Sequence, residues 1–300
     1  MKLDFLGLGA RPLAPTRRFA VTSETDRLTD VMLCRPSYLA PVPCCAVTRQ
    51  SLADGFTLSV DRATAQHRAL QAALERHNVR CHLLPPDPAL PDMCFTRDAL
   101  LTSPWGLIKL RPATPHRREE ADRAFDFARG LGAPPAAYVR QGRIEGGDIA
   151  IVRSGLVVIG WSGERTDWTG AEALAEIFRG QRWDVITYAF DPELLHLDTQ
   201  FCMVDEGVAL ACIELLDPAF VRQIEEQGIE LIAVEPAESR RLGCNILSLG
   251  QRRIISSAAN DRINGVLRGR GFDVEAVDID QFTRCGGGIH CLTMPLARAM

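Results

Sequence analysis

The sequence is short of several things, and each shortage excludes a class of protein. No apolar run approaches the ~20 residues that a membrane helix needs, so no membrane partner is expected. Positive charge is not in excess: 34 Lys and Arg stand against 38 Asp and Glu, a net charge of -4. Nucleic-acid binders leave a basic footprint, so no nucleic-acid partner is expected either. None of the ten cysteines forms a Cys-x-x-Cys pair, which removes the usual zinc-ribbon and thioredoxin patterns. Low-complexity tracts and clear linkers are missing too. The first residues, MKLDFLGLGARPLAPTRRFA, hold one lysine and an apolar stretch broken by Gly and Pro. They make a poor signal peptide.

What is present is apolar and regular. Of 300 residues, 46% are hydrophobic, enough to bury a sizeable core. Most cysteines lie in strand-like runs such as VMLC, VRCHLL and ALACI, where thiols behave as small hydrophobes. The expectation is a reducing, cytoplasmic protein in which one cysteine does chemistry.

Five segments carry apolar residues three and four apart with a polar opposite face, the mark of amphipathic helices. They are DRATAQHRALQAALERHN, HRREEADRAFDFARGLG, WTGAEALAEIFRGQR, DPAFVRQIEEQG and NDRINGVLRGRG. Each runs into a short β-like stretch, then a turn, then further strands, the first of these being ALLTSP, IAIVR, FCMVDEG, ILSLG and CLTMP. The unit is strand, strand, helix, strand. The turn before that first strand holds Asp98, Glu145, His196, Asn245 and Cys291 in succession, spaced about 50 residues apart. Such a unit cannot bury its faces alone. Five of them closing on themselves form a ring whose equivalent turns meet at the centre. The expected architecture is therefore one domain, a closed ring of five α/β units.

The converging turns bring together one thiol, one imidazole and several carboxylates. A thiolate is a competent nucleophile, and a histidine can shuttle a proton near neutral pH. His290 adjoins Cys291, but neighbours on a strand point to opposite faces, so the distant His196 is expected to be the partner. Carboxylates Asp98, Glu145 and Asp198 would raise the thiol pKa unless a cation sits among them. A planar guanidinium fits, because carboxylates grip it in bidentate fashion and its central carbon is electrophilic. Singly, each residue has a plainer reading. Cys291 reads as a buried strand thiol, the His-Cys pair as too few ligands for a metal, and the charges flanking Arg117 as a solvated face. Co-occurrence at matched repeat positions is what overrides these.

The motifs FTRD, EGGD, HLDTQF and GGGIHCLTMPL resemble those of the guanidine-modifying enzymes: arginine deiminases, dimethylargininases, agmatine deiminases and amidinotransferases. The resemblance covers nearly the whole chain from about Asp26 and implies a five-bladed, pseudo-fivefold α/β propeller, the pentein fold, as a single catalytic domain over residues 26–300 after an N-terminal extension over 1–25. It implies Cys291 as nucleophile, His196 as general acid and base, and Asp98, Glu145 and Asp198 as the guanidinium cradle. HRREE is similar to a carboxylate-gripping Arg-Arg stretch, pointing to Arg117, and GERT to a second grip, Arg165. Asp92 lies where dimethylargininases hold an α-amino group, and Phe95 and Arg97 complete the implied binding set. Arg97 and Asp198 resemble arginine deiminases, whereas Asp92 resembles dimethylargininases. The implied activity is hydrolysis at the guanidino carbon of arginine or a close derivative, giving citrulline and ammonia or an amine. Dimethylargininase, arginine dihydrolase and amidinotransferase chemistry remain open on the same residues. No metal and no organic cofactor is implied, the partner is a small guanidino amino acid, and a homodimer is allowed. Cys44 and Cys45 are expected near the pocket mouth, without a role.

Overall fold

The first strand of the chain pairs with its last. In the computed structural model, which describes residues 13–16 and 18–299, β1 (Arg27–Cys34) lies between β2 (Arg80–Leu84) and the C-terminal strand. Four more three-stranded sheets follow the same plan. They are β3 (Leu100–Ser103), β4 (Gly106–Lys109) and β5 (Pro135–Tyr138); β6 (Ile149–Arg153), β7 (Leu156–Trp161) and β8 (Asp184–Ala189); β9 (Phe201–Asp205), β10 (Val208–Ala211) and β11 (Glu230–Ala233); and β12 (Leu247–Gly250), β13 (Arg253–Ser257) and β14 (Asp273–Val277). β15 (Met294–Ala299) completes the first sheet. In every sheet the middle strand runs antiparallel to the inner strand and parallel to the third. A parallel pair needs a crossover, and an amphipathic helix supplies each one.

Those helices are α2 (Val60–Arg76), α3 (Arg118–Gly130), α4 (Trp168–Gly180), α5 (Pro218–Glu226) and α7 (Asp261–Gly269), with the one-turn α6 (Pro236–Ser239) between the last two. All five long ones coincide with the periodic segments. Their starts follow local chemistry: Ser59 and Asp167 accept from the backbone N–H of Arg62 and Gly170, and Asp217 precedes a proline at the first helical turn. A further helix, α1 (Ala46–Ala53), was not signalled by periodicity. Cys45 caps it by accepting from the Thr48 N–H, and only Thr48 and Ser51 of its residues are buried.

The apolar core is divided as the sheets are. Five buried clusters occur among the described residues, each between two neighbouring sheets with one helix against them. Leu70 and Leu74 of α2, for example, share a cluster with Leu33 of β1, Leu247 of β12 and Ile255 of β13. This is why a single unit would not hold alone, and why the β1–β15 pairing matters: it joins the two ends into a closed ring. At the centre β15 lies against β3, and β9 lies against β6 and β12.

Two sequence expectations are corrected. Residues 19–25 are not an extension. Phe19 is fully buried in the core, the Arg298 N–H donates to Ala20 O at 2.9 Å, and the Glu24 N–H donates to Ile151 O at 2.8 Å. Residues 1–12 of that expected extension lie outside the described residues. The final strand starts at Met294, so Cys291 stands in a turn rather than on a strand.

Candidate active site

Three of the inner turns are short 3-10 segments, Thr96–Ala99, Gly146–Asp148 and Leu197–Thr199, each leading into an inner strand. Hydrogen bonds link turn to turn. Asp98 Oδ1 accepts from the Gly147 N–H at 3.0 Å, and Asp148 Oδ1 from the Leu197 N–H at 2.9 Å. Asn245 Oδ1 accepts from the N–H groups of His290 and Cys291 at 3.0 and 3.3 Å, and the Arg97 N–H donates to Cys291 O at 3.2 Å. These bonds satisfy backbone groups that have no partner on their own strand, and they fix where each side chain points.

Two glycine motifs are explained by close approach. A Cβ on Gly147 would come within 2.6 Å of His196 Nδ1, and a Cβ on Gly288 within 2.3 Å of Asn245 Oδ1. Only glycine lets the histidine ring and the asparagine amide lie on those backbones.

Cys291, His196, Asp98, Asp92, Phe95, Arg117 and Arg165 line one narrow cavity, together with Cys44, Cys45, Leu195 and Cys285–Gly287. Residues expected from five separate motifs are thus brought together, and Cys44 and Cys45 do stand in its wall. Glu145 is fully buried behind His196, its Oε2 at 2.8 Å from His196 Nε2 and 3.2 Å from Arg165 Nη1. His196 Nδ1 has no hydrogen-bond partner. Asp198 Oδ2 lies 3.7 Å from Cys291 Sγ, and its Oδ1 is buried without a partner. Arg117 donates to Asp98 Oδ2 at 2.6 Å, to Glu120 Oε2 at 2.9 Å and to Phe95 O at 2.8 Å. Asp92 Oδ2 is 2.8 Å from His116 Nε2.

Two expected binding residues are not in the wall of the cavity: Asp198, which lies behind Cys291 and beside His290, and Arg97. The Arg97 guanidinium turns the other way, donating to His290 O at 3.4 Å and pairing with Glu24 at 3.6 Å. The cause is the 3-10 turn, which places Asp98 toward the cavity and its neighbour Arg97 behind the ring. His290 needs a second correction. Because residues 289–292 form a turn, the alternation of a strand does not apply, and both His290 Nδ1 (2.8 Å) and Cys291 Sγ (3.7 Å) reach the same Asp198 oxygen. Asn245 was seen in the repeat but given no role; its Nδ2 donates to Cys291 Sγ at 3.2 Å. Glu24, buried against Arg97, His290 and Arg298, had no motif to reveal it.

The electrostatics are strongly perturbed. Burial works against charge on His196, yet Asp98, Asp148 and Glu145 overcome it and push its pKa up to about 10. Burial would also raise Glu145, but Arg165, His196 and Arg117 hold it well below the usual carboxylate range. Burial, with Asp198 and Asp98, pushes the Cys291 thiol well up, against the smaller pull of Gly288 and Asn245. Burial drives Asp148 up to about 7. Both shifts favour the protonated forms, an imidazolium on His196 and a neutral thiol on Cys291. A cation placed among the carboxylates would relieve the field that keeps the thiol protonated.

Among the described residues, two side-chain groups come close enough to share a metal ion: Asp98, Glu145 and His196, and Cys44, Asp92 and His116. In the first, Asp98 and Glu145 already pair with Arg117 and Arg165, so a dication would have to displace or face two guanidinium groups. A larger, shallow basin elsewhere is lined by Lys109, Arg111, Arg118 and Arg140 with Asp122 and Tyr138, and its one carboxylate, Asp122, pairs with Lys109.

Comparison with known proteins agrees with this geometry. Residues 47–298 match the family model described as N,N dimethylarginine dimethylhydrolase, eukaryotic. An uncharacterized Bacillus subtilis protein, YkgA, is 31% identical over 92% of this chain and 94% of its own. The N(G),N(G)-dimethylarginine dimethylaminohydrolase of Pseudomonas aeruginosa is 28% identical over 82% and 95%. A solved structure of a Pseudomonas aeruginosa mutant of that enzyme, complexed with citrulline, superposes with a TM-score of 0.74 at 25% identity, covering 89% of this chain and 99% of the other. The N-terminal domain of ArgZ, an arginine dihydrolase in cyanobacteria, shares the fold at a TM-score of 0.79 and 21% identity, over 90% and 98%. Its ring of five sheets, its inner turns and the matched span together place this chain in the N,N-dimethylarginine dimethylhydrolase family of the guanidine-modifying pentein superfamily.

Proposed function

We propose that this protein hydrolyses the guanidino carbon of arginine or a close derivative through a covalent intermediate on Cys291. The observation that carries the reading is the convergence of Cys291, His196, Asp98, Asp92, Arg117 and Arg165, from distant segments, on one cavity. The name of the Pseudomonas aeruginosa relative supports the substrate class.

The guanidinium meets Asp98 in the cavity, while Asp198 and Glu145, buried behind the wall, add the negative charge that favours a planar cation. Its charge lowers the thiol pKa so that the thiol proton leaves to solvent, and the resulting Cys291 thiolate attacks the central carbon, forming a C–S bond. His196 is charged before substrate arrives, so it is ready to act as an acid. Glu145 holds Nε2, leaving Nδ1 to deliver the proton to the departing nitrogen as the C–N bond breaks. The neutral ring then takes a proton from water. The oxygen adds to the carbon, the C–S bond breaks, and the ureido product leaves with the thiolate regenerated. Asp92 and Arg165, at the outer part of the set, are the groups that would meet the α-amino and α-carboxylate ends. Asp98 favours unmethylated nitrogens, from whose N–H groups its carboxylate can accept.

The test is product analysis by mass after incubation with arginine, monomethylarginine, dimethylarginine and agmatine. Citrulline with ammonia or an amine is expected. Ornithine with ammonia would replace this reaction by a dihydrolase. Product formed only with an added acceptor amine would replace it by a transferase, and binding without turnover would refute catalysis.

A further inference from the structure

The cavity wall holds a group of side chains that the proposed reaction does not use as a unit. Cys44, Asp92 and His116 come from three different loops, and their sulfur, oxygen and nitrogen ligand atoms all lie within 4.8 Å of one another. Cys44 and Asp92 line the cavity itself. His116 Nε2 is 2.8 Å from Asp92 Oδ2, and Cys44 Sγ accepts from Arg165 Nη2 at 3.3 Å.

We propose that Cys44, Asp92 and His116 form a binding site for a divalent zinc-like cation at the wall of the cavity, with its fourth position open toward the interior. The donor set decides the metal. Thiolate, imidazole and carboxylate together suit zinc, which binds such ligands tetrahedrally, whereas calcium and magnesium take oxygen. With zinc bonds of about 2.0–2.3 Å, neighbouring ligand atoms stand roughly 3.3–3.8 Å apart. The present spacing closes to that by shifts on the order of 1 Å, and the half-buried Cys44 and His116 are placed to make them.

Charge also favours the site. The Cys44 thiolate and the Asp92 carboxylate supply two negative charges for a dication. Arg165 is the nearby opposing cation, and Glu145 offsets it at 3.2 Å. Burial raises the Cys44 thiol, with Arg165 pulling the other way, so metal entry must expel its proton. His116 coordinates through Nε2 by placing its remaining proton on Nδ1, so one proton in all is released to solvent. A metal held there would occupy the wall that a substrate passes or touches, making it a reversible block on the cavity. The site stands whether or not the proposed reaction is correct, because it uses neither Cys291 nor His196.

The test uses cobalt(II) as a spectroscopic stand-in for zinc, titrated into the full-length Cys291→Ser protein so that the deeper thiol cannot contribute. Expected is a thiolate-to-cobalt charge-transfer band with tetrahedral d–d absorption, at one equivalent, displaced by zinc. The band should persist in Cys45→Ser and vanish in Cys44→Ser. His116→Ala should weaken binding by more than about tenfold, the least that loss of even an outer partner costs. Melting curves of the metal-free variants check that each is folded, and Cys44→Ala serves as a second removal of the thiol. Absence of a charge-transfer band in the Cys291→Ser protein overturns the proposal. So does a band that survives both Cys44 substitutions, or one that is lost with Cys45→Ser.

Discussion

The belt of helices and the ring of inner turns are two halves of the same repeat, yet they are held by different physics. The belt is apolar packing. Leu174 and Phe178 of α4 are wholly buried against β6 and β7 residues such as Ile151 and Val157, and the polar faces meet solvent. The inner ring is polar and nearly as buried: Glu145 and Asp148 are at 0% exposure and His196 at 2%. Buried charges are tolerated only when paired, and here each carboxylate is answered by an imidazole, a guanidinium or a backbone N–H. The belt supplies the cohesion. The ring, bridged turn to turn by Asp98, Asp148 and Asn245, spends part of it to hold groups in costly states.

The comparison predicts a dissociation between activity and stability, and the largest effect should come from the ring. Cys291→Ser should lower turnover by a factor on the order of 10⁴ or more while the melting temperature barely changes. A variant retaining substantial turnover would remove Cys291 from the mechanism. His196→Asn should stop product formation or trap the covalent species, visible as an adduct by intact-mass measurement; a wild-type rate and pH profile would count against it.

The belt should behave in the opposite way. Leu174→Ala leaves a cavity in a fully buried site and should cost about 2–5 kcal/mol of stability by denaturant unfolding. Turnover per folded molecule should stay near wild type. A loss of turnover in the folded protein would show that the two halves are not separable.

Asp148 tests the ring's stored cost. Its folded pKa of about 7 stands above its ordinary 3.8, so the stability tied to its protonated form is complete below 3.8 and lost as pH rises through about 7. Asp148→Asn cannot ionise, and an amide still offers an oxygen to the Leu197 N–H. Its stability should therefore fall less than wild type between pH 4 and 7. Parallel curves would mean that Asp148 is not strained by burial. The smallest effect belongs to the outer surface: the half-exposed pair of Arg179 and Glu172 should contribute no more than about 0.5 kcal/mol, so Arg179→Ala should unfold almost as wild type does.

The repeat was legible because helices and strands advertise their buried faces by period, and five equal units leave a regular spacing. The cavity's principal residues, Cys291, His196 and Asp98, were legible because they stand at matched points of that spacing. What failed to show did so for identifiable reasons. His290 was set aside on the alternation of a strand, but the chain makes a turn there, so its contact with Asp198 did not show. Arg97 was placed with its neighbour Asp98, although a 3-10 turn sends adjacent side chains to different sides. Glu24 carries no motif and lies in a segment taken for an extension, and α1 has too little buried surface to leave a period.

The amino-acid sequence by itself determined the repeating unit and the number of units, since hydrophobic periodicity is a local property of consecutive residues. It also determined which reactive groups occupy the innermost turns. Only the tertiary structure decided which of them touch, because Cys291 with Asn245, Glu145 with His196, and Cys44 with Asp92 and His116 are separated along the chain and meet only once β15 closes the ring on β1.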